Sequence, residues 1–178
     1  MKGLVFREFL EMVEKEYGYE TVDTIIEKSK VPSEGIYTSV GTYHHSEMFA
    51  LITELSKLTK LNTDKLLFAF GAYVFDVFVK AYPVFFENKT SSFQLLADVE
   101  GTIHVEVLKL YPEAELPTFS IEEQREDKMV MIYRSQRKMA DFAEGLIQGC
   151  AKHFNENITI SREYIEEDGT VVLFRITK

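Results

Sequence analysis

The spacing of hydrophobic residues predicts that the first two-thirds of the chain is helical. Apolar positions there recur at three- and four-residue intervals, as they do along the buried face of a helix. The pattern predicts helices over residues 3–17, 20–29, 47–60 and 64–80, and a further helix that begins near Phe93 and ends before Pro112. Ser46 and Thr63 are the expected N-caps of the third and fourth helices. The fourth helix is apolar on nearly all sides, which is typical of a buried helix.

Beyond Pro117 the pattern becomes mixed. Residues 118–121 and 128–134 alternate as strands do, with a charged loop between them. A helical period returns over 137–154, and the last segment predicts a β-hairpin that turns at Asp168-Gly169. We therefore predict an α+β fold in a single domain, residues 1–178. Its helical N-terminal lobe spans 1–62, and a mixed α/β C-terminal lobe with an antiparallel sheet spans 63–178.

Composition narrows the possible partners. The net charge of −9 argues against nucleic acid and anionic membranes, because both attract clustered Lys and Arg. No apolar run is long enough for a membrane span or a signal peptide, so we expect a cytoplasmic protein. The single cysteine, Cys150, excludes an internal disulfide and a cysteine-based zinc site, and we expect it to be a small buried residue.

One histidine lies beside an apolar stripe. The helix after Phe93 has its stripe at three- and four-residue spacing, formed by Leu96, Val99, Ile103, Val107 and Leu110. His104 follows Ile103 at the edge of this stripe, and Gly101 would let a flat ligand approach the helix closely. The 14 Phe and 9 Tyr residues also suit a core built around something large and flat. Taken alone, a half-buried, hydrogen-bonded histidine is the more common explanation.

Three polar residues are spaced to grip a carboxylate. Tyr133, Ser135 and Arg137 stand at i, i+2 and i+4, so in an extended segment all three would point to one side. Arginine binds carboxylates through two parallel hydrogen bonds and stays charged at any relevant pH. Alone, these residues are better explained as ordinary polar groups at a strand end.

Taken together, these motifs resemble a known family. The MKG start, the His104 helix, Pro117 and YRSQRKM followed by GLIQG are similar to the H-NOX family, the haem-nitric oxide/oxygen binding domains related to the haem domain of soluble guanylate cyclase. The resemblance covers essentially the whole chain. It implies haem b (iron protoporphyrin IX) between the two lobes, with His104 as the iron ligand. It also implies that Tyr133, Ser135 and Arg137 bind the haem propionates and that Pro117 packs on the haem and distorts it.

The resemblance also implies which gas is sensed. The family positions that line the distal pocket correspond here to Val5, Phe9, Val74, Phe78, Phe142 and Leu146. Oxygen-binding members have a hydrogen-bonding tyrosine supported by an asparagine and a tryptophan, where this chain has Phe142, Val74 and Phe9. None of these three side chains donates a hydrogen bond. We therefore expect ferrous haem to bind NO and CO but to form no stable O₂ complex.

A signalling scheme follows from the same resemblance. In the family, NO binding weakens the iron–histidine bond, and release of the histidine lets the haem relax and the N-terminal lobe shift. We expect His104 to be the trigger, Pro117 the strain element and the N-terminal helices the moving body. The chain shows no kinase, cyclase or DNA-binding segment. We therefore expect a monomeric sensor, not an enzyme, that acts on a sensor histidine kinase or a cyclic-di-GMP enzyme in trans.

Other functions fit the sequence less well. The His44-His45-x-Glu47 cluster lacks the helical spacing of a hydrolytic metal site. His153, near a helix end, is better explained as a partner of the helix dipole. A module for an apolar carboxylate such as a fatty acid, held by Arg137, would be colourless and leave His104 without a role. A haem peroxidase would need a distal acid–base residue, and none has an assigned place.

Overall fold

The computed structural model describes residues 1–178 and has the predicted α+β fold, with seven α-helices and one four-stranded antiparallel sheet. The helices are α1 (Gly3–Tyr17), α2 (Tyr19–Ser29), α3 (His45–Thr59), α4 (Thr63–Ala81), α5 (Ser92–Asp98), α6 (His104–Leu110) and α7 (Ala140–His153). The strands are β1 (Thr118–Gln124), β2 (Lys128–Arg134), β3 (Thr159–Tyr164) and β4 (Val171–Thr177). A 3₁₀ turn covers Pro83–Phe85, and a π-helical segment covers Val99–Ile103.

The chain divides into two compact units, Met1–Phe70 and Gly71–Lys178, and the division falls within α4. We call them unit 1 and unit 2. The two lobes expected from the sequence divide eight residues earlier, after residue 62. That division into a helical lobe and a haem-holding lobe remains a prediction.

Unit 1 is built around the inner faces of α1, α2 and α3. Its fully buried side chains are Phe6, Phe9, Val13, Ile25, Met48, Leu51, Ile52, Leu55 and Phe70. Phe9 meets Phe70 edge to face at 5.2 Å between ring centroids, and Tyr37 stacks on Phe6 at 4.3 Å. The chain start is fixed as well, because the Gly3 N–H donates to the carbonyl of Gly41 at 2.9 Å.

The start of α3 differs from the prediction. The helix begins at His45 rather than residue 47, and His44, not Ser46, is its N-cap. The Nδ1 atom of His44 accepts a hydrogen bond from the Ser46 N–H at 3.3 Å. An imidazole nitrogen therefore takes the capping role that the sequence suggested for a hydroxyl.

In unit 2 one face of the sheet forms the core. The strand order is β1-β2-β4-β3, and Tyr133 of β2 pairs with Phe119 of β1 and Val172 of β4. Alternate residues of the two central strands point inward, as the two-residue period of a strand requires. They are Met129, Met131 and Tyr133 on β2, and Val172, Phe174 and Ile176 on β4. Side chains from α5 and α7 complete this core, among them Leu95, Leu96, Ala143, Ile147 and Cys150.

The helix predicted after Phe93 is not continuous. A π-helical turn separates α5 from α6, and the His104 N–H donates to the carbonyl of Val99, five residues back. One extra residue in a turn rotates everything beyond it by about 100° relative to a regular α-helix. Burial falls along the predicted stripe: Leu96 is 8% exposed, Val107 is half-buried and Leu110 is 66% exposed. The continuous helix expected from the sequence is therefore wrong at the π-helical turn, and the predicted apolar face does not extend to Leu110.

Candidate functional site

His104 is the first residue of α6, directly after the π-helical turn. Its side chain is 14% exposed, and Nδ1 is buried without a hydrogen-bond partner. The nearest charged atom is Oε2 of Glu100, 3.4 Å from Nδ1. Burial lowers the pKa of the His104 imidazole, although the charge of Glu100 acts in the opposite direction. The ring is therefore neutral at neutral pH, the form in which histidine binds metals.

Aromatic rings connect His104 to the sheet. The ring of Phe119, on β1, lies 6.0 Å from that of His104 and 5.6 Å from that of Tyr133, between centroids. Glu100 reaches the same strand, because its Oε2 accepts the Phe119 N–H at 2.8 Å. Phe119 was not singled out from the sequence, although it alternates with Pro117 and is the second residue of the predicted strand over 118–121. The structure thus brings His104, Phe119 and Tyr133 into one row.

Tyr133 is a core residue with a polar tip. It is 2% exposed, and its hydroxyl oxygen accepts the N–H of Met139, the residue before α7, at 3.1 Å. Burial raises the pKa of Tyr133 more than the hydrogen bonds from Ser135 and Met139 lower it. The phenol is therefore un-ionised at neutral pH and remains able to donate its proton to a bound carboxylate.

Ser135 and Arg137 lie beyond the end of β2, as the predicted strand over residues 128–134 implied. β2 ends at Arg134, and the chain turns over the next residues. The Ser135 N–H donates to the carbonyl of Thr170 at 2.9 Å, and the Ser135 hydroxyl oxygen accepts the Arg137 N–H at 3.1 Å. A turn stabilised by its own serine thus follows Tyr133, so the three residues do not share one extended segment.

The Arg137 guanidinium can donate more hydrogen bonds than its one ion-pair partner accepts. Its side chain is only 14% exposed, and its partner is Glu115, whose Oε2 lies 3.4 Å from Nη2. The Glu115 side chain is 89% exposed, so water competes for this contact and it is weak. Since a guanidinium carries five N–H donors, Arg137 can still bind a carboxylate through two parallel hydrogen bonds.

The carboxylate of Asp168 supports this turn from the β3–β4 loop. It accepts hydrogen bonds from the Thr170 N–H at 2.9 Å and the Thr170 hydroxyl at 2.6 Å, and it lies 3.1 Å from Lys138 Nζ. These contacts lower the pKa of Asp168 to about 2. The interaction stabilises the fold above the unfolded-state pKa and is lost as the pH falls through the folded-state pKa.

We expect Asp168→Asn to lower the melting temperature slightly at neutral pH. The difference from the unsubstituted protein should shrink between about pH 4 and about pH 2, because Asp168 becomes protonated over this range, first in the unfolded and then in the folded state. This difference in melting temperature is measured by monitoring thermal unfolding with circular dichroism at several pH values. Glu167→Gln, which removes the neighbouring carboxylate, is the control. A difference that persists unchanged at pH 2 would contradict the assignment.

The positions expected to line an apolar pocket are hydrophobic but lie in both units. In unit 2, Val74 is 1% exposed, and Phe78, Phe142 and Leu146 are half-buried. In unit 1, Phe9 is buried and Val5 half-buried, both on α1. The half-buried Pro117 precedes β1.

The remaining candidates have structural roles. The buried Glu47 carboxylate accepts hydrogen bonds from the Ser33 N–H at 3.3 Å and the Tyr37 hydroxyl at 3.1 Å. His44 caps α3 and stacks on His45. His153 ends α7 beside three phenylalanine rings, and Cys150 is buried. No group of three or more His, Cys, Asp or Glu side chains could hold a metal ion.

Comparison with known proteins gives a consistent answer. The family model described as Haem-NO-binding matches residues 2–162. The Fe(II) unliganded H-NOX protein from K. algicida shares 46% identity over 100% of this chain and 96% of its own, with a TM-score of 0.95. The IWP-051-bound Fe(II)CO H-NOX from Shewanella woodyi shares 42% identity over 100% of this chain and 94% of its own, with a TM-score of 0.85. The Fe(II)NO H-NOX protein from S. oneidensis shares 26% identity over 99% of this chain and 98% of its own, with a TM-score of 0.90. No curated protein matches.

The fold and the site therefore define a haem-binding sensor domain rather than an enzyme. The chain belongs to the H-NOX, or Haem-NO-binding, family, and its general function is haem-based gas sensing. None of its helices has both the length and the hydropathy needed to cross a membrane.

The residues present fit a haem. A haem needs an uncharged nitrogen ligand for iron and polar groups for two propionates. His104 offers a largely buried, neutral imidazole, and Arg137 offers a guanidinium with donors in reserve.

Proposed function

We propose that the protein senses NO through ferrous haem b ligated by His104. The observation that carries the proposal is the imidazole itself, which is largely buried, neutral and without a hydrogen bond at Nδ1. Leaving a buried polar nitrogen unpaired costs about 1–3 kcal/mol, so such a ring is unusual unless it has a further role. When bound, the haem supplies a ferrous iron that takes NO or CO as a ligand.

The propionates would be held by Tyr133, Ser135 and Arg137. Arg137 supplies the positive charge, and the two hydroxyls supply neutral donors beside it. The hydrogen bond from the Ser135 N–H to Thr170 and the contact between Asp168 and Lys138 fix the turn that carries these groups. This order favours binding, since little conformational entropy remains to be lost.

We also propose that the pocket selects NO and CO over O₂. Bound O₂ draws negative charge from ferrous iron and is stabilised by a hydrogen-bond donor, whereas NO needs none. Phe9, Val74 and Phe142, at the positions where oxygen-binding relatives are expected to carry such donors, have none. The Tyr43 hydroxyl is held at Thr38, because its oxygen accepts the Thr38 N–H at 2.9 Å and lies 3.4 Å from the Thr38 hydroxyl.

Phe142→Tyr tests this selectivity. A donor at this position should raise O₂ affinity by about 10-fold, the effect of one added hydrogen bond of about 1.4 kcal/mol. The absorption spectrum of the reduced protein, recorded in air before and after removal of O₂, measures the change. Phe154→Tyr adds the same hydroxyl near the end of α7 and is the matched control. If Phe142→Tyr gains no more O₂ affinity than Phe154→Tyr, the pocket assignment is wrong.

For the output, we propose that release of His104 from iron starts the signal, with Pro117 as the strain element and the N-terminal helices as the moving body. A sensor signals only if its partner distinguishes two states. The family resemblance favours a sensor histidine kinase or a cyclic-di-GMP enzyme as that partner, and the net charge of −9 is compatible with a protein partner. Autophosphorylation of a candidate kinase, with unliganded and NO-loaded sensor, tests this step.

A further inference from the structure

One oxygen of Glu100 faces both the candidate iron ligand and the sheet. Oε2 accepts the Phe119 N–H at 2.8 Å and lies 3.4 Å from Nδ1 of His104. The contact with Nδ1 does not have hydrogen-bond geometry, and Nδ1 has no other partner. Glu100 thus stands between the π-helical turn and the first residues of β1.

The contact can close with a small movement. The Glu100 side chain is 46% exposed, so its carboxylate has room to shift toward Nδ1. With Nδ1 facing Glu100, Nε2 is the ring nitrogen left for a metal. A histidine that ligates a metal through one nitrogen usually donates its other ring N–H to a carboxylate or carbonyl, which fixes the ring and makes it a stronger ligand.

We propose that Glu100 is a positioning residue for His104, an inference that rests on the proposed function. Its carboxylate accepts the Nδ1–H of His104, orients the ring toward iron and increases electron donation from Nε2. Because the same oxygen holds the Phe119 N–H, the ring is also tied to β1 two residues after Pro117. Glu100 therefore opposes release of His104 and sets how readily the sensor responds.

Resonance Raman spectroscopy of the reduced, unliganded, haem-loaded protein tests this role through the iron–histidine stretching band. Glu100→Gln keeps an oxygen that can accept the Phe119 N–H but removes the negative charge, and Glu100→Ala removes both. Glu106→Gln is the matched control, because Glu106 is an exposed carboxylate on α6 that pairs with Lys109. We expect the band to move to lower frequency in both Glu100 variants and to stay unchanged in Glu106→Gln.

Haem transfer to excess apomyoglobin gives a second readout. Loss of a group that orients a metal ligand costs about 10–100-fold in affinity, so haem release from Glu100→Ala should be faster by a factor in that range. If Glu100→Ala fails to fold, Glu100→Gln still decides through its Raman band. A Glu100→Gln band at the frequency of Glu106→Gln would overturn the inference.

The inference and the proposed function fail in different ways. If the unsubstituted protein takes up no haem, or shows no iron–histidine band after reduction, the proposed function fails. If that band is present and Glu100→Gln leaves it at the frequency of Glu106→Gln, only the positioning role fails.

Discussion

Replacing His104 with alanine is expected to lower haem affinity by more than about 100-fold. Loss of a group that merely orients a metal ligand costs about 10–100-fold, and loss of the ligand itself should cost more. The fold should persist, because His104 belongs to a short helix without buried residues. The measurement is the ratio of the haem Soret absorbance to the protein absorbance at 280 nm after purification, with circular dichroism as a check of folding.

Two controls make this result specific. His153→Ala removes another imidazole from unit 2, at the end of α7, and should leave the haem content unchanged. Added imidazole should restore the haem spectrum of His104→Ala, since it supplies the missing nitrogen ligand. If His104→Ala keeps its haem without added imidazole, another residue ligates the iron.

The second large effect concerns Gly71, where α4 passes α7. A Cβ atom at this position would lie 2.1 Å from the carbonyl oxygen of Phe142 and 3.0 Å from the N atom of Leu146. Both are backbone atoms, so no side-chain rotation relieves the clash. Gly71→Ala should lower the free energy of unfolding by about 1–3 kcal/mol. The melting temperature should fall by roughly 2–12 °C, as measured by thermal unfolding.

Gly101→Ala is the matched control, because a Cβ on Gly101 would meet no atom within 4 Å. In a helical segment, replacing glycine with alanine should be neutral or stabilise by about 0.5–1 kcal/mol. If Gly71→Ala is as stable as Gly101→Ala, α4 and α7 are free to move apart.

Helices and strands with a regular hydrophobic period were predictable from the sequence. The limits of α1 and β2 match the predicted residues 3–17 and 128–134, because each element keeps one period without interruption. The π-helical turn was not predictable. The spacing from Leu96 to Leu110 also fits a continuous helix, so nothing in it marks the extra residue of the π-helical turn.

The candidate site was partly predictable. Tyr133, Ser135 and Arg137 are close in sequence, so their proximity needed no knowledge of the fold. Their turn was missed because it depends on the Thr170 carbonyl, 35 residues later. Phe119 escaped notice for the same reason, since tertiary packing brings it to His104, whereas Glu100 is only four residues before His104 and only its contact with Phe119 depends on the fold.

The most direct test of haem-based NO sensing is the absorption spectrum of reduced, haem-loaded protein under argon, in air and with NO. We predict that brief exposure to air leaves the spectrum unchanged. We also predict that NO shifts it to the spectrum of a haem whose iron has lost its histidine ligand. A stable change in air would contradict the selectivity for NO. Protein that takes up no haem would contradict the central claim and favour a module that binds an apolar carboxylate through Arg137.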